Sequence, residues 1–335
     1  MALRVGIVGA GSIGCYVGAA LVMGGADVSF LGRERIAETV AEHGLRISDF
    51  RGLDHHIPAA RLCFYTDIAA MGDRDCVIVT VKSGDTAAIA ADLAKVLASK
   101  ATVISLQNGV GNAAVLQQAM PRNTVLPGMI AFNVVQGEKG CFHAGTDGEV
   151  IIQDAPVARE LAGFFKASGT PFETHDDMLS VLWSKLLLNL NNPINALSGI
   201  GLKDQLSQRA YRRCLAASQR EALAAISAAK IPVQKLTAVP AQWLPAVLSL
   251  PDLIFKRLAQ PMLAIDPLAR SSMWEDLERG RKTEVEWLNG EVIRLAAEHG
   301  IPVPVNERIR HLIQLAEQGG RRDYRAAELL AAIRT

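Results

Sequence analysis

The chain is poor in cysteine, and what it has is unpaired in spacing. Cys15, Cys63, Cys76, Cys141 and Cys214 are scattered, with no C-x-x-C among them. That excludes a zinc ribbon, a thioredoxin-like motif and a disulfide-stapled scaffold. The five read as packing residues in a reducing compartment. No apolar run reaches the ~18 residues that would span a bilayer, and the first residues enter a core-type strand directly, so neither membrane anchor nor signal peptide is expected. The location expected is cytoplasmic. Excess charge of one sign is also missing: 35 Lys and Arg balance 34 Asp and Glu, for a formal net charge of +1. A nucleic-acid footprint and a polybasic membrane surface are thereby excluded. There is no internal repeat and no low-complexity tract. What remains is a chain of 335 residues, half of them hydrophobic, enough for two domains with sizeable cores.

The most informative stretch is the first. Leu3-Arg4-Val5-Gly6-Ile7-Val8 reads as a buried strand, and it opens into Gly9-Ala10-Gly11-Ser12-Ile13-Gly14 and then an apolar helix. Strand, G-x-G-x-x-G and helix in that order is the context in which the glycines mean a dinucleotide site. Gly9 makes the turn, Gly11 leaves room for a pyrophosphate, and Gly14 lets the helix close on the strand. The free N–H groups of the helix start, with those of Ala10, Ser12 and Ile13, face the phosphates. A second strand, Asp27-Val28-Ser29-Phe30-Leu31, ends in Gly32-Arg33-Glu34-Arg35. An NAD site places an acid there for the ribose 2′-hydroxyl. Arg33 instead suits a 2′-phosphate, which it can hold bidentately, so the cofactor read from these residues is NADP(H).

Further strands alternate with helices. A helix over residues 36–43 precedes β-prone pieces at 45–47 and 62–65, with His55-His56 in a solvated loop between them. A buried strand at 75–81 ends in Lys82-Ser83-Gly84, and another at 101–106 ends in Gln107-Asn108-Gly109. The alternation specifies a parallel, doubly wound sheet, whose ligands sit beyond the carboxyl ends of the strands. Lys82 and Asn108 occupy that position, the lysine for cofactor phosphate or ribose, the asparagine for nicotinamide ribose or substrate. Residues 124–153 turn to β and are expected to extend the sheet. After His175-Asp176-Asp177 the chain reads as helical throughout. The fold expected is therefore α/β: an N-terminal Rossmann-type doubly wound parallel sheet over 1–177 and a C-terminal all-α domain over 178–335.

The second domain opens on a long apolar helix that contains one lysine, Lys185. At about 100° per residue, Asn189 lies about 40° from it and Asn192 about 20° the other way, whereas Asn191 is about 120° off. One face therefore carries an ammonium and two amides. Pro193 cannot donate and crowds the carbonyl of Asn189, so a kink or stop is expected there. Residues 231–270 are broken by six prolines and read as a lid or an interface. A long helix is then expected from Ser271 onward, opened by the capping box Ser272-x-x-Glu275. Its stripe Met273, Leu277, Gly280, Glu284, Leu288, Glu291, Leu295 puts Glu284 among apolar residues, where a carboxylate needs a partner; Lys185 is the candidate. Glu286 falls on the polar side and Glu291 toward a solvated end.

Taken together, Gly9–Gly14, Val81-Lys82-Ser83-Gly84, Gln107-Asn108-Gly109, Trp183-Ser184-Lys185 through Asn189, Ser271-Ser272-Met273 with Asp276, and Thr283-Glu284-Val285-Glu286 with Leu288-Asn289-Gly290 resemble the ketopantoate reductase family over nearly the whole chain. The resemblance implies NADPH-dependent reduction of the 2-keto group of ketopantoate to pantoate, on the route to pantothenate and coenzyme A. It implies Lys185 as the general acid, with Asn108, Asn189, Ser272 and Glu284 holding substrate or orienting the lysine, and Lys82 and Arg33 serving the cofactor. The family has a second asparagine eight residues after the lysine; this chain has Pro193 there, and the helix-face arithmetic makes Asn192 the substitute. A pocket shaped by the proline-broken stretch would take another 2-keto acid. The chemistry fits the residues, since hydride addition to a ketone builds negative charge on oxygen that a positioned ammonium stabilises and protonates. No metal is implied, and the sequence admits a homodimer. Two alternatives stand beside this reading: a β-hydroxyacid dehydrogenase and a non-catalytic NADP(H)-sensing protein.

Overall fold

The computed structural model describes residues 3–237, 239–258 and 269–334. The chain divides into two compact units, Met1–Met178 and Leu179–Thr335. No helix among the described residues is long and apolar enough to cross a membrane.

The first unit is built on strand β1 (Arg4–Val8), followed by helix α1 (Ser12–Met23), β2 (Asp27–Leu31) and α2 (Glu34–His43). Next come β3 (Leu45–Asp49), β4 (Asp54–Ile57), β5 (Cys63–Tyr65), β6 (Cys76–Val79) and α3 (Thr86–Val96). The unit continues with β7 (Thr102–Ser105), α4 (Asn112–Ala119), β8 (Thr124–Ile130), β9 (Val134–Gln136), β10 (Cys141–Ala144), β11 (Val150–Gln153), α5 (Pro156–Ser168) and β12 (Phe172–His175). Eight strands form one sheet in the order β12-β11-β8-β7-β6-β1-β2-β5. Their contiguous apolar residues are explained by burial on both faces. Along β6, Cys76 and Ile78 pack into one hydrophobic layer while Val77 and Val79 pack into the other, the period-two alternation of a strand.

The structure corrects the sequence reading at three points in this unit. The sheet is not parallel throughout, because β8 and β11 pair antiparallel. Of the β-prone residues 124–153, only β8 and β11 extend the large sheet. β9 and β10 join β3 and β4 in a separate four-stranded sheet, order β4-β3-β10-β9. His55 and His56 belong to β4 rather than to a loop; both are exposed, and His56 Nε2 lies 2.9 Å from the carbonyl oxygen of His43. The cysteines also divide. Cys15, Cys76 and Cys214 are buried, and burial pushes each thiol up to about 12. Cys63 is exposed and Cys141 half-buried, so those two are not core packing.

In the second unit, α6 (Met178–Asn189) and α7 (Asn191–Ser198) are separated at Leu190. The break falls where Pro193 requires it, and the proline sits in the first turn of α7, where a missing N–H is tolerated. Helices α8 (Leu202–Ser207) and α9 (Arg209–Ala228) follow. Gln219 of α9 donates 2.9 Å to the carbonyl of Leu187, satisfying an acceptor in the last turn of α6. The proline-broken stretch forms short helices at Leu244–Leu248 and Asp252–Leu258; Pro261 and Pro267 lie outside the described residues. Arg212 of α9, fully buried, ties this stretch down. Its guanidinium donates to the carbonyls of Leu206 (2.9 Å), Leu248 (3.1 Å) and Leu250 (2.8 Å), pairs with Asp252 at 2.9 Å, and lies 4.0 Å from the centre of the Phe255 ring.

The long helix expected from Ser271 is absent. A short helix, Ser272–Glu278, stops at Gly280, whose φ of +60° is left-handed, a common way for a helix to end. A 3₁₀ turn at Val285–Trp287 and a new helix, Asn289–Glu298, follow. The unit closes with helices Pro304–Glu317 and Ala326–Ala332. Replacing Arg212 by Met would leave three carbonyls without this donor, two of them buried. The expected loss is about 3 kcal/mol, measured by denaturant unfolding; a loss under about 1 kcal/mol would mean that these contacts are incidental.

Candidate active site

The nucleotide loop has the geometry the glycine pattern demands. Gly9 lies at φ +101°, and a Cβ there would stand 2.6 Å from the backbone nitrogen of Val81. Its N–H and that of Ala10 both donate 3.0 Å to the carbonyl of Leu31, locking the end of β1 to the end of β2. At Gly14 a Cβ would meet the carbonyl oxygen of Gly9 at 2.4 Å, so no side chain fits under this turn. At Gly11 the nearest atom is 4.0 Å away, which leaves the outer side of the loop, with Ser12 and Ile13 at the start of α1, open to a phosphate. These features fit a dinucleotide.

Arg33 is exposed immediately before α2, two residues beyond the end of β2. Glu34 is the first helical residue, so the position after the strand carries a cation rather than an acid. That fits a 2′-phosphate better than a bare ribose hydroxyl. Lys82, exposed, precedes the 3₁₀ turn Ser83–Asp85 beyond β6, and Asn108, half-buried, follows β7. Because β7, β6, β1 and β2 are neighbours in the sheet, all these groups occupy the carboxyl ends of adjacent strands. The first unit thus gathers Gly9–Gly14, Arg33, Lys82 and Asn108 on one edge.

In the second unit, Lys185 sits in α6 with Trp183, Ser184, Leu186 and Leu187 all buried around it. Its own side chain is only partly exposed. Burial draws its ammonium down to about 8 from an ordinary value of 10.5, and the charge of Glu284 opposes that fall. The structure therefore couples the two residues through charge, as the stripe argument anticipated, but by another route. Glu284 lies in the turn before the 3₁₀ segment, not on a helix. The other two acids weighed with it have other work. Glu291, far from solvated, is 6 % exposed and paired with Arg294 at 2.8 Å. Glu286 accepts from Gln314 at 2.6 Å and lies 3.6 Å from Arg310.

The asparagines sort themselves by their partners. The side chain of Asn191 is consumed by a reciprocal amide pair with Gln205, at 3.2 and 3.0 Å. Asn189 and Asn192 are half-buried, and neither amide is taken up by a hydrogen bond among the described residues. Ser272 is corrected: the helix cap is Ser271, whose Oγ accepts from Trp274 N at 3.2 Å, so no Ser272–Glu275 capping box forms and Ser272 is an exposed first-turn residue. Ser271 also donates its N–H to Asn195 Oδ1 (2.9 Å) and its hydroxyl to the carbonyl of Asn192 (3.1 Å). Ser272 and Asn192 are thereby brought together. Sequence reasoning missed the linking residue, fully buried Asn195; the only signal was its place one turn beyond Asn192. Among the described residues no group of three or more His, Cys, Asp or Glu is placed to hold a metal ion.

The sequence matches the family described as "Ketopantoate reductase PanE/ApbA" over residues 5–156 and its "C terminal" counterpart over residues 177–317. The chain belongs to the ketopantoate reductase family. Members of that family are NADP-dependent oxidoreductases, and this protein is an enzyme of that kind. Among its relatives, the 2-dehydropantoate 2-reductase of Halobacterium salinarum is 31% identical over 326 residues, covering 95% of this chain and 100% of the relative. That of Archaeoglobus fulgidus is 30% identical, covering 94% and 98%. The crystal structure of a PanE/ApbA family ketopantoate reductase from Ralstonia eutropha superposes with a TM-score of 0.81 at 28% identity, covering 95% of this chain and 99% of the other. A D-mandelate dehydrogenase solved with NADH and anilino(oxo)acetate shares the fold, with a TM-score of 0.77 at 18% identity, 95% and 99% covered.

The lowered Lys185 value has a consequence for stability. Between pH 8 and 10.5 the unfolded chain holds this proton and the folded chain does not, so stability rises with pH across that window and carries a penalty below it. Lys185→Met is expected to melt higher than the wild type at pH 7 and to lose that rise. Thermal melts at pH 7 and pH 9.5 check this; a variant with the wild-type pH dependence would contradict it.

Proposed function

We propose that this enzyme reduces the 2-keto group of ketopantoate to pantoate, taking hydride from NADPH and a proton from Lys185. NADPH supplies the hydride when bound; the chain supplies its cradle. Gly9, Ala10, Gly11, Ser12, Ile13 and Gly14 would hold the pyrophosphate, Arg33 the 2′-phosphate, Lys82 a phosphate or ribose oxygen, and Asn108 the nicotinamide ribose or the substrate. On this reading the first unit is the nucleotide domain and the second the substrate domain.

The observation that carries the reading is the state of Lys185: an ammonium set in an apolar helix, drawn down to about 8 by burial and held up against it by Glu284. A general acid works best with a value near the operating pH. As hydride reaches the carbonyl carbon, the C=O π pair moves to oxygen, and that oxygen takes a proton from Nζ of Lys185. The lysine is left as a neutral amine and recovers its proton from solvent. Glu284 favours the charged form before each turnover. Asn189 and Asn192, with amides not engaged elsewhere among the described residues, and Ser272 would bind the hydroxyl and carboxylate of the substrate. The relatives from Halobacterium and Archaeoglobus bear the name of this activity.

A panel of 2-keto acids and 3-hydroxy acids, run with NADPH or NADP⁺, tests the reading. Ketopantoate is expected to be the best substrate, and oxidation of 3-hydroxy acids alone would reject it in favour of a β-hydroxyacid dehydrogenase. Lys185→Ala should keep its affinity for NADPH and lose at least about a hundredfold in kcat, the scale of a removed general acid; full turnover would rule out the lysine mechanism. Reduction needs the protonated lysine, so the rate should fall as pH rises through about 8. In Glu284→Gln that fall should move to lower pH, because the group opposing desolvation is gone. Arg33→Ala should raise the Kd for NADPH by about tenfold, one charge-assisted contact, with NADH affinity unchanged; equal weakening of both would remove Arg33 from the 2′-phosphate.

A further inference from the structure

Two loops in the first unit carry groups expected to meet ligands: the one after β6, with Lys82, and the one after β7, with Asn108. Neither is part of a strand or an α-helix, yet they are joined by a buried chain of hydrogen bonds. Ser105 Oγ donates 3.0 Å to Gln107 Oε1. Gln107 Nε2 donates both to the carbonyl of Val81 (3.0 Å) and to Thr86 Oγ1 (2.7 Å). Thr86 Oγ1 donates 2.8 Å to Asn112 Oδ1. Asn112 Nδ2 reaches Ser83 Oγ (3.2 Å) and the carbonyl of Asn108 (2.6 Å), and Ser83 Oγ donates to that same carbonyl at 2.9 Å. Ser83, Thr86, Ser105, Gln107 and Asn112 are each at most 6 % exposed, and none of their polar atoms is left without a partner.

The directions of these bonds are mutually consistent. Each hydroxyl donates once, and those of Ser83 and Thr86 also accept, so one arrangement of protons satisfies every group. A fully satisfied buried network is rigid, and breaking one link leaves unpaired atoms in low dielectric. Its two ends are the carbonyl of Val81 and the hydroxyl of Ser83, on either side of Lys82, and the carbonyl of Asn108 itself. We propose that Ser83, Thr86, Gln107 and Asn112 are positioning residues that fix the Lys82 loop against the Asn108 loop. They present the ammonium and the amide as one preformed receiver for the nicotinamide-side ribose or phosphate of NADPH and for the keto acid. The identity of those ligands rests on the function proposed above; the locking of the loops does not. No member of the network ionises near neutrality, so its action is independent of pH.

The test compares Thr86→Val, Thr86→Ser and Ser83→Ala with the wild type, by NADPH fluorescence titration, steady-state kinetics with ketopantoate and thermal melting. Thr86→Val, nearly isosteric but without the hydroxyl, should weaken NADPH binding and raise KM about tenfold, with the pH at which kcat falls unmoved. Thr86→Ser should stay within twofold of the wild type in both constants, and Ser83→Ala should lie between. A Thr86→Val protein that melts lower but keeps Kd and KM within twofold of the wild type would overturn the proposal, since a purely structural network lowers stability alone. Should Thr86→Val not fold, Ser83→Ala decides: weakened NADPH binding supports the proposal and unchanged binding overturns it. A wild type that binds NADPH but reduces no 2-keto acid would defeat the proposed function while leaving the network to be judged on the NADPH constants.

Discussion

A charged amine inside an apolar helix is the constraint on which the second unit is built. Desolvation loosens the hold of Lys185 on its proton, drawing it down to about 8, and one carboxylate, Glu284, works against that fall. On the proposed mechanism, that balance gives the residue both a proton to release and a reason to release it. Placed in water, the same ammonium would be a weak acid near neutral pH; placed without Glu284, it would be still more readily neutral. The surrounding leucines and tryptophan, which look like simple core packing, are therefore part of the electrostatics.

On the same proposal the first unit solves the opposite problem. Its task would be to hold negative charge, and the means it offers is backbone. The turn at Gly9, the close approach at Gly14 and the start of α1 are set by what glycine lacks, and the side chains added at strand ends are few. Two buried amides, Gln107 and Asn112, then join neighbouring loops with bonds that carry no net charge, so the rigidity of this edge is separate from the titrating chemistry of the lysine. The two units meet different physical demands with different materials.

Much of this was legible in the sequence because it was local. The strand, glycine loop and helix at the N-terminus, the apolar strands 75–81 and 101–106, and the break forced by Pro193 all follow from neighbours within a few residues. What escaped were features decided by distant partners or by one backbone angle. The helix from Ser271 was drawn too long because Gly280 looked tolerable on a stripe, whereas in the fold it takes a left-handed φ and ends the helix. That moved Glu284 into a turn; at the other end the cap is Ser271, not Ser272. Glu291 read as solvated because Arg294 and the packing around it do not show in periodicity. The second sheet could not be foreseen, since β3 and β10 are strands nearly a hundred residues apart. Asn195 and Asn112 passed as ordinary helix residues, because burial of a polar side chain cannot be read from its own neighbourhood.

At Leu190 the chain passes from α6 to α7 on right-handed backbone, its N–H still bonded to the carbonyl of Leu186 at 3.0 Å. A continuous helix would fix the angular relation between Lys185 and every later residue at the helical pitch. The break at Leu190 places Asn192 on α7 instead, where Ser271 donates to its carbonyl at 3.1 Å and to Asn195 Oδ1 at 2.9 Å. On the proposed mechanism, the proton donor and the amide of Asn192 then stand on separate helices, so a change of shape beside the substrate need not disturb the seat of the lysine.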